Sequence, residues 1–350
     1  MGNTWVLDSR IGRTVPHFAL LPEGVDHLMF IPDDIRKCVC FIGAKRADDS
    51  FVPLGTGVFV ARPVPDTDRG LVLLATAWHV IRDAAAGSVD GLPYVRLNLR
   101  QGGVGVAPLL AVDQWLRSND SSVDAGVMML LPPKEVDFLA FPLDESATVD
   151  YLRAKGLGAG EEVFIAGLFT NYAGTQYNIP VIRTGTIAAL SEEKIISKHF
   201  GAMDGILVEV RSIGGFSGSP VFLNLGVIRQ SGTSISIGAS GPNQFKLLGL
   251  MHGFPRAQIE KADSTDTEGE LVNSGLAVVV PVAKLIEATR HEKIEEVMAQ
   301  IKDAYDKAQP VVEESTVGTV PMSSIENTEQ LLGQLMQVPA DEADEVHRGH

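Results

Sequence analysis

Cysteine is almost absent from this sequence: the only two, Cys38 and Cys40, stand together in "RKCVCF". Residues two apart on a strand point the same way and are badly placed to bridge each other, and two thiols alone do not complete a zinc site. The pair is therefore read as reduced core thiols. With no disulfide framework, and with a start, "MGNTWVLDSRIGR", that has neither a basic stretch nor an apolar one, a reducing cytoplasmic setting is expected. Val6 stands where an N-myristoylation motif wants Ser or Thr, so no lipid anchor is expected. Basic charge is scarce as well. Lysine and arginine total 29 against 44 acidic residues, a formal charge of −15, and no Lys/Arg-rich run occurs, which disfavours nucleic acid as a partner. No uncharged apolar window reaches about 18 residues, so no membrane-spanning helix is expected. His, Cys, Asp and Glu nowhere cluster at metal-ligand spacing; neither a metal nor another cofactor is expected.

What is present is strand. An apolar share of 45% over 350 residues supports one large domain with a tail, or two core-bearing units. Short β-branched and aliphatic runs bounded by Gly, Pro, Asn and Asp recur, among them "CVCFIGA", "GTGVFVAR", "GLVLLATA", "DAGVMMLL", "EVFIAGLF", "GILVEVRS", "KLLGLMHG" and "LAVVVPV". Their density, with no long helical pattern between them, predicts an all-β fold of antiparallel barrel or sandwich type. A turn-rich connection over 132–160 divides the runs into halves at 36–131 and 161–282, after an N-terminal extension over 1–35. From 283 to 309 apolar residues fall at helical spacing, predicting an amphipathic helix. Residues 310–350 carry eight acidic residues and one basic one, and read as a flexible acidic tail on which a protein partner could dock.

Within these runs, "IGGFSGSPVF" crowds glycines and a proline around two serines directly before a strand. A serine hydroxyl is a poor nucleophile near neutral pH unless a base takes its proton and donors await the developing oxyanion. Glycine backbone, free of side chains, can turn its N–H groups toward one small volume. Ser217 is thus the candidate nucleophile, with the N–H groups of Gly215 and Ser217 as oxyanion donors. Upstream, "LLATAWHVI" puts His79 just after an apolar strand, and "NDSSVDAGVMML" puts Asp124 at the mouth of another, where a buried carboxylate could orient an imidazole.

The joint order His, Asp, Ser resembles that of the trypsin/chymotrypsin-like serine peptidases, and within them the bacterial cytoplasmic and Deg-type branch. "TAWHV", "VDAGVMML" and "GGFSGSPVF" are similar to that family's three active-site segments, and the likeness runs from Arg36 to Ile301. The resemblance implies two antiparallel six-stranded barrels followed by a C-terminal helix. It implies peptide-bond hydrolysis through an acyl-enzyme, with His79 as general base and acid, Asp124 as its orienter and Ser217 as nucleophile, acting on a protein or peptide that pairs along "LMHGF". Arg211, His252 and Gly253 would line the primary pocket, where cations favour an acidic residue before the scissile bond. Three departures stand out. Phe216 occupies the place of an acidic residue in secreted relatives, Gly126 that of an alanine, and Trp78 that of a smaller residue. A catalytically inactive double barrel that binds peptides or proteins is the alternative, and oligomeric state is open.

Overall fold

The computed structural model describes residues 31–190, 193–197, 201–210, 215–226, 228–231, 234–237, 244–253, 256–259, 270–273 and 275–308. The N-terminal extension up to Phe30, Arg211 and the acidic tail lie outside them. After α1 (Asp34–Lys37) the chain runs through β1 (Val39–Lys45), β2 (Phe51–Pro63), β3 (Gly70–Thr76), α2 (Trp78–Gly87), β4 (Tyr94–Asn98), β5 (Val104–Pro108), β6 (Gly126–Met129) and β7 (Phe141–Pro142). These seven strands form one sheet in the order β5-β4-β1-β2-β3-β6, with β7 beside β2.

α3 (Val149–Ala154) then leads into β8 (Glu162–Gly167) and β9 (Val181–Leu190). Two short strands, β10 (Ile195–Ser197) and β11 (Gly201–Met203), pair with each other ahead of β12 (Ile206–Glu209) and β13 (Pro220–Asn224). The pair β14 (Ile228–Ser231) and β15 (Ser234–Ile237) precedes β16 (Phe245–Gly253); the pair β17 (Arg256–Ile259) and β18 (Glu270–Asn273) precedes β19 (Leu276–Pro281). β12-β19-β16-β13-β8-β9 close into a six-stranded antiparallel barrel.

The fold is mostly β with a few helices, and one of the two expected barrels is a closed barrel. In the first half the outer strands β5 and β6 are not joined among the described residues. The stretch between them is rich in turn formers, "RSNDSS", and meets β6 through an isolated bridge: Leu116 and Val127 exchange backbone hydrogen bonds of 2.8 Å. The expected helix over 283–309 is two helices, α4 (Val282–Ala288) and α5 (Glu292–Ala308). Thr289 ends the first by turning its hydroxyl back to the Ile286 carbonyl, and its own carbonyl accepts from the Arg62 guanidinium at 2.5 Å instead of continuing the helical ladder.

β3 shows how the pattern makes the core. "GLVLLAT" is buried along its whole length, and its alternation sends Leu71, Leu73 and Ala75 into one cluster and Val72 and Leu74 into another. The first cluster is shared with the barrel residues Phe164, Phe222 and Leu250, so one face of the sheet packs on the barrel. The second is closed by Val80, Ile81 and Ala84 of α2. Phe141, Phe222, Phe164 and Phe245 touch in series at centroid spacings of 4.9, 5.0 and 5.1 Å, tilted, stacked and edge to face in turn, and each such ring stabilises the fold by about 1.5–3 kcal/mol. Cys38 and Cys40 are free and buried, but they face different clusters because Cys38 caps α1 ahead of β1. Burial pushes the Cys38 thiol up to about 12, and that of Cys40 higher still.

Candidate active site

His79 is the second residue of α2, and the N-cap before it, Ala77, is extended at φ −67° and ψ 137°. β3 pairs with β6 through Thr76 and Gly126, which brings Asp124 beside that helix start. The carboxylate takes two bonds from one residue: the backbone N–H of His79 donates to Oδ1 at 2.9 Å, and its ring Nδ1 meets Oδ2 at 2.7 Å. The first of these also satisfies an N–H that an α-helix leaves without an internal acceptor. Asp124 is fully buried, while the His79 side chain remains 21% exposed. Burial alone would push the Asp124 carboxyl up; hydrogen bonds from His252 and His79 outweigh it and hold the carboxyl below the ordinary carboxylate range. Because a carboxylate only accepts, Nδ1 of His79 carries the proton and its Nε2 offers a lone pair.

Ser217 lies in the turn before β13. Gly218 sits at φ +80°, where a Cβ would stand 2.2 Å from both the Thr56 carbonyl and the Thr76 hydroxyl, so no other residue fits. Gly215, at φ +102°, packs against the Leu168 carbonyl and Thr170. Between them Phe216 points into the barrel core and is fully buried, with the Arg183 guanidinium 5.6 Å over its ring. The turn is anchored by a hydrophobic side chain.

A buried hydroxyl from the other half steadies the same turn. Thr56 of β2 donates to the Gly215 carbonyl at 3.3 Å and accepts from the Leu168 N–H at 2.8 Å. Its backbone N–H donates to the Ser217 carbonyl at 2.9 Å, and its carbonyl accepts from the Thr76 hydroxyl at 2.7 Å. Sequence reasoning passed over Thr56; the available signal was a threonine between two glycines, "GTG", inside an apolar strand.

His252 stands elsewhere than the primary-pocket wall expected from the resemblance. β16 and β19 pair Met251 with Val279 but Gly253 with Val278, a bulge that leaves His252 between ladder partners and re-aims its side chain. Its ring Nδ1 meets Asp124 Oδ2 at 2.5 Å, so one carboxylate oxygen serves two imidazoles. The two rings stand edge to face at 5.7 Å. The Ser217 hydroxyl donates to the His252 carbonyl at 3.3 Å, and among the described residues no hydrogen bond joins it to the His79 ring. Gly253 ends β16, and Arg211 lies outside the described residues.

Trp78 and Gly126, two departures noted separately in the sequence, are in contact. A Cβ on residue 126 would lie 2.8 Å from the Ile81 methyl and 3.0 Å from the Trp78 ring, whose other neighbour is the Arg117 guanidinium at 4.7 Å. Ile81 and the Trp78 ring together leave residue 126 little room for a side chain. Although no metal-ligand spacing is visible along the chain, the fold assembles a group that could hold an ion: His79, Asp124 and His252 each offer a donor atom, all within 4.8 Å of one another. Among the described residues no helix is long and apolar enough to cross a membrane.

Residues 55–228, a segment that holds His79, Asp124 and Ser217 but stops short of His252, match the trypsin-like peptidase domain family. The chain therefore carries a trypsin-like peptidase domain. Similar solved structures include the MamO protease domain from Magnetospirillum magneticum, at 14% identity over 72% of this chain and 96% of that one, with a TM-score of 0.41. Deg5 is 15% identical over 73% of this chain and 88% of its own, also at 0.41. The Rv3671c protease from M. tuberculosis in its active form is 16% identical over 77% and 92%, at 0.36. A search of curated proteins gave no match.

Proposed function

We propose that the chain is a serine endopeptidase in which Ser217, His79 and Asp124 cleave a peptide bond by acyl transfer. The observation that carries this reading is the buried Asp124 carboxylate bonded to both the backbone N–H and the ring Nδ1 of His79. That pair of bonds sets the ring's tautomer and direction together, leaving Nε2 free to take the Ser217 proton as Oγ attacks the substrate carbonyl. The N–H groups of Gly215 and Ser217 receive the oxyanion. His79 then passes the proton to the leaving amine, and water, activated by the same Nε2, releases the acyl group. The substrate, a protein or peptide, adds as a strand at the end of β16 past Met251, where β13 no longer covers its edge, with Gly253 giving its backbone room. An acidic preference loses its support from His252, whose ring is engaged by Asp124.

One observation favours the second reading, a binding module without turnover: the Ser217 hydroxyl is directed at the His252 carbonyl. Covalent labelling with a fluorophosphonate probe decides between them without a known substrate. Peptidase chemistry requires an adduct at Ser217 in the native chain that disappears in Ser217→Ala and His79→Ala. A folded native chain that takes up no label would refute it.

A further inference from the structure

The Asp124 carboxylate is shared by two histidines, one from each half of the domain, and the triad reading uses only one of them. We propose that His79, Asp124 and His252 form a binding site for a single borderline divalent transition metal ion of the zinc and cobalt class, and that the bound ion silences Ser217. The silencing rests on the reading of His79 as base; the binding does not.

Two imidazoles and a carboxylate are the donor set that such ions select, and three protein ligands with one position left for water is a familiar zinc arrangement. A hydroxyl at position 252 would leave only two ligands, too few for a closed hold, so His252 is the residue that makes the site. The spacings suit an ion after a small adjustment. Bonds of roughly 2.0–2.1 Å in tetrahedral array hold ligand atoms about 3.4 Å apart. Here the two Nδ1–Oδ2 separations are 2.7 and 2.5 Å, and the three donor atoms lie within 4.8 Å of one another. The carboxylate is fully buried while the His79 and His252 side chains keep 21% and 11% of their surface, so an ion can enter from the imidazole side.

Each neutral ring carries one proton, on the Nδ1 that faces Asp124. An ion taking both Nδ1 atoms sends each proton to the Nε2 of its own ring by way of solvent, with no net release. The His79 Nε2 then donates and cannot accept the Ser217 proton. An ion held through Nε2 instead occupies that same lone pair. In either arrangement the general base is lost, and chelation restores it.

The experiment is a titration of the full chain with Co2+, read by visible d–d absorption, together with Zn2+ titration calorimetry, on the native chain and on His252→Ser. The substitution keeps a hydroxyl donor for Asp124, and circular dichroism confirms folding; His79→Gln serves if it does not fold. The chain has eight histidines, so the difference between native and variant isolates this site from the rest. The expected result is one equivalent with the bands of a four-coordinate cobalt centre, weakened in the variant by more than the roughly 10–100-fold that loss of a mere outer-shell partner costs. Identical spectra and isotherms in native and variant, or no four-coordinate bands, would overturn the site. In the second arm, Zn2+ protects native Ser217 from fluorophosphonate, EDTA reverses the protection, and His252→Ser is not protected. Zinc bound with labelling unaffected would overturn the silencing. A native chain that never labels would sink the triad reading, while the cobalt titration still decides the metal site.

Discussion

The two halves hold their reactive groups by different means. The sheet half carries His79 and Asp124, tied to each other by two hydrogen bonds at the start of a helix, with the carboxylate buried. The barrel half carries Ser217 on a turn whose shape depends on two left-handed glycines, on Phe216 in its own core and on Thr56 reaching over from the sheet. A helix start supplies rigidity locally, whereas the turn needs support from both sides of the molecule. Changes at the sheet-half dyad should therefore remove chemistry and leave the fold, while changes under the turn should cost both together.

The sharpest test of that difference is at the dyad. On the triad reading, His79→Ala or Asp124→Asn should lower peptidase turnover or fluorophosphonate labelling by roughly 10⁴–10⁶-fold, the range that loss of a triad aspartate or histidine costs in serine peptidases, with far-UV circular dichroism unchanged. Asp124 also sets a sign for acid stability. Its carboxyl titrates lower in the fold than in the unfolded chain, so its contribution is complete above the ordinary carboxylate value of about 3.9 and is lost as pH falls through the lowered folded value. Denaturant midpoints measured from pH 5 to 2 should show a flatter acid limb in Asp124→Asn than in the native chain. A steeper limb would reverse the argument.

The turn should respond in the opposite manner. Phe216→Ala removes a fully buried ring from the barrel core and should cost about 3–5 kcal/mol in urea unfolding, with labelling lost in step. Thr56→Val keeps the volume but leaves the buried Leu168 N–H without its acceptor and releases the Gly215 carbonyl. It should cost about 1–3 kcal/mol and slow labelling while the His79 and Asp124 resonances stay in place by NMR. If Thr56→Val lowered stability and left labelling untouched, the turn would be self-supporting and the contrast between the halves would fail.

Much of this architecture was legible because its signals are local. The glycines around Ser217, the apolar run ending before His79 and the alternation within each strand are read within ten residues, and the structure brings His79 and Asp124 together and sets Ser217 on its turn. The resemblance puts His252 on the pocket wall by its position along "LLGLMHGF", a strand whose side chains alternate with period two. The bulge after Met251 shifts that period by a residue, and nothing in an apolar strand announces a bulge. Thr56 was missed for the opposite reason. Its hydroxyl partners lie 112 and 159 residues away, so its role exists only once both halves are in place. Closure of the first sheet depended on 109–125, a stretch with no periodicity to read, and the helix break at Thr289 depended on Arg62.

The pairing of Trp78 with Gly126 offers a finer probe, because it lies beside the dyad and yet belongs to packing. A methyl added at 126 would press on Ile81 and Trp78, so Gly126→Ala alone should destabilise by about 1–3 kcal/mol through overpacking. Trp78→Val alone opens a gap beside Gly126 and frees Arg117 from the indole face. Together the two changes partly refill the same volume. The double variant should thus be more stable than the sum of the single losses, by a coupling of about 1 kcal/mol, as expected of residues in contact. Because the exchange leaves both Asp124 bonds to His79 in place, labelling of the double variant should stay within a few-fold of native. Additive losses would mean that the two departures from the family pattern are independent, and a labelling defect larger than the stability loss would mean that the indole itself shapes the His79 ring.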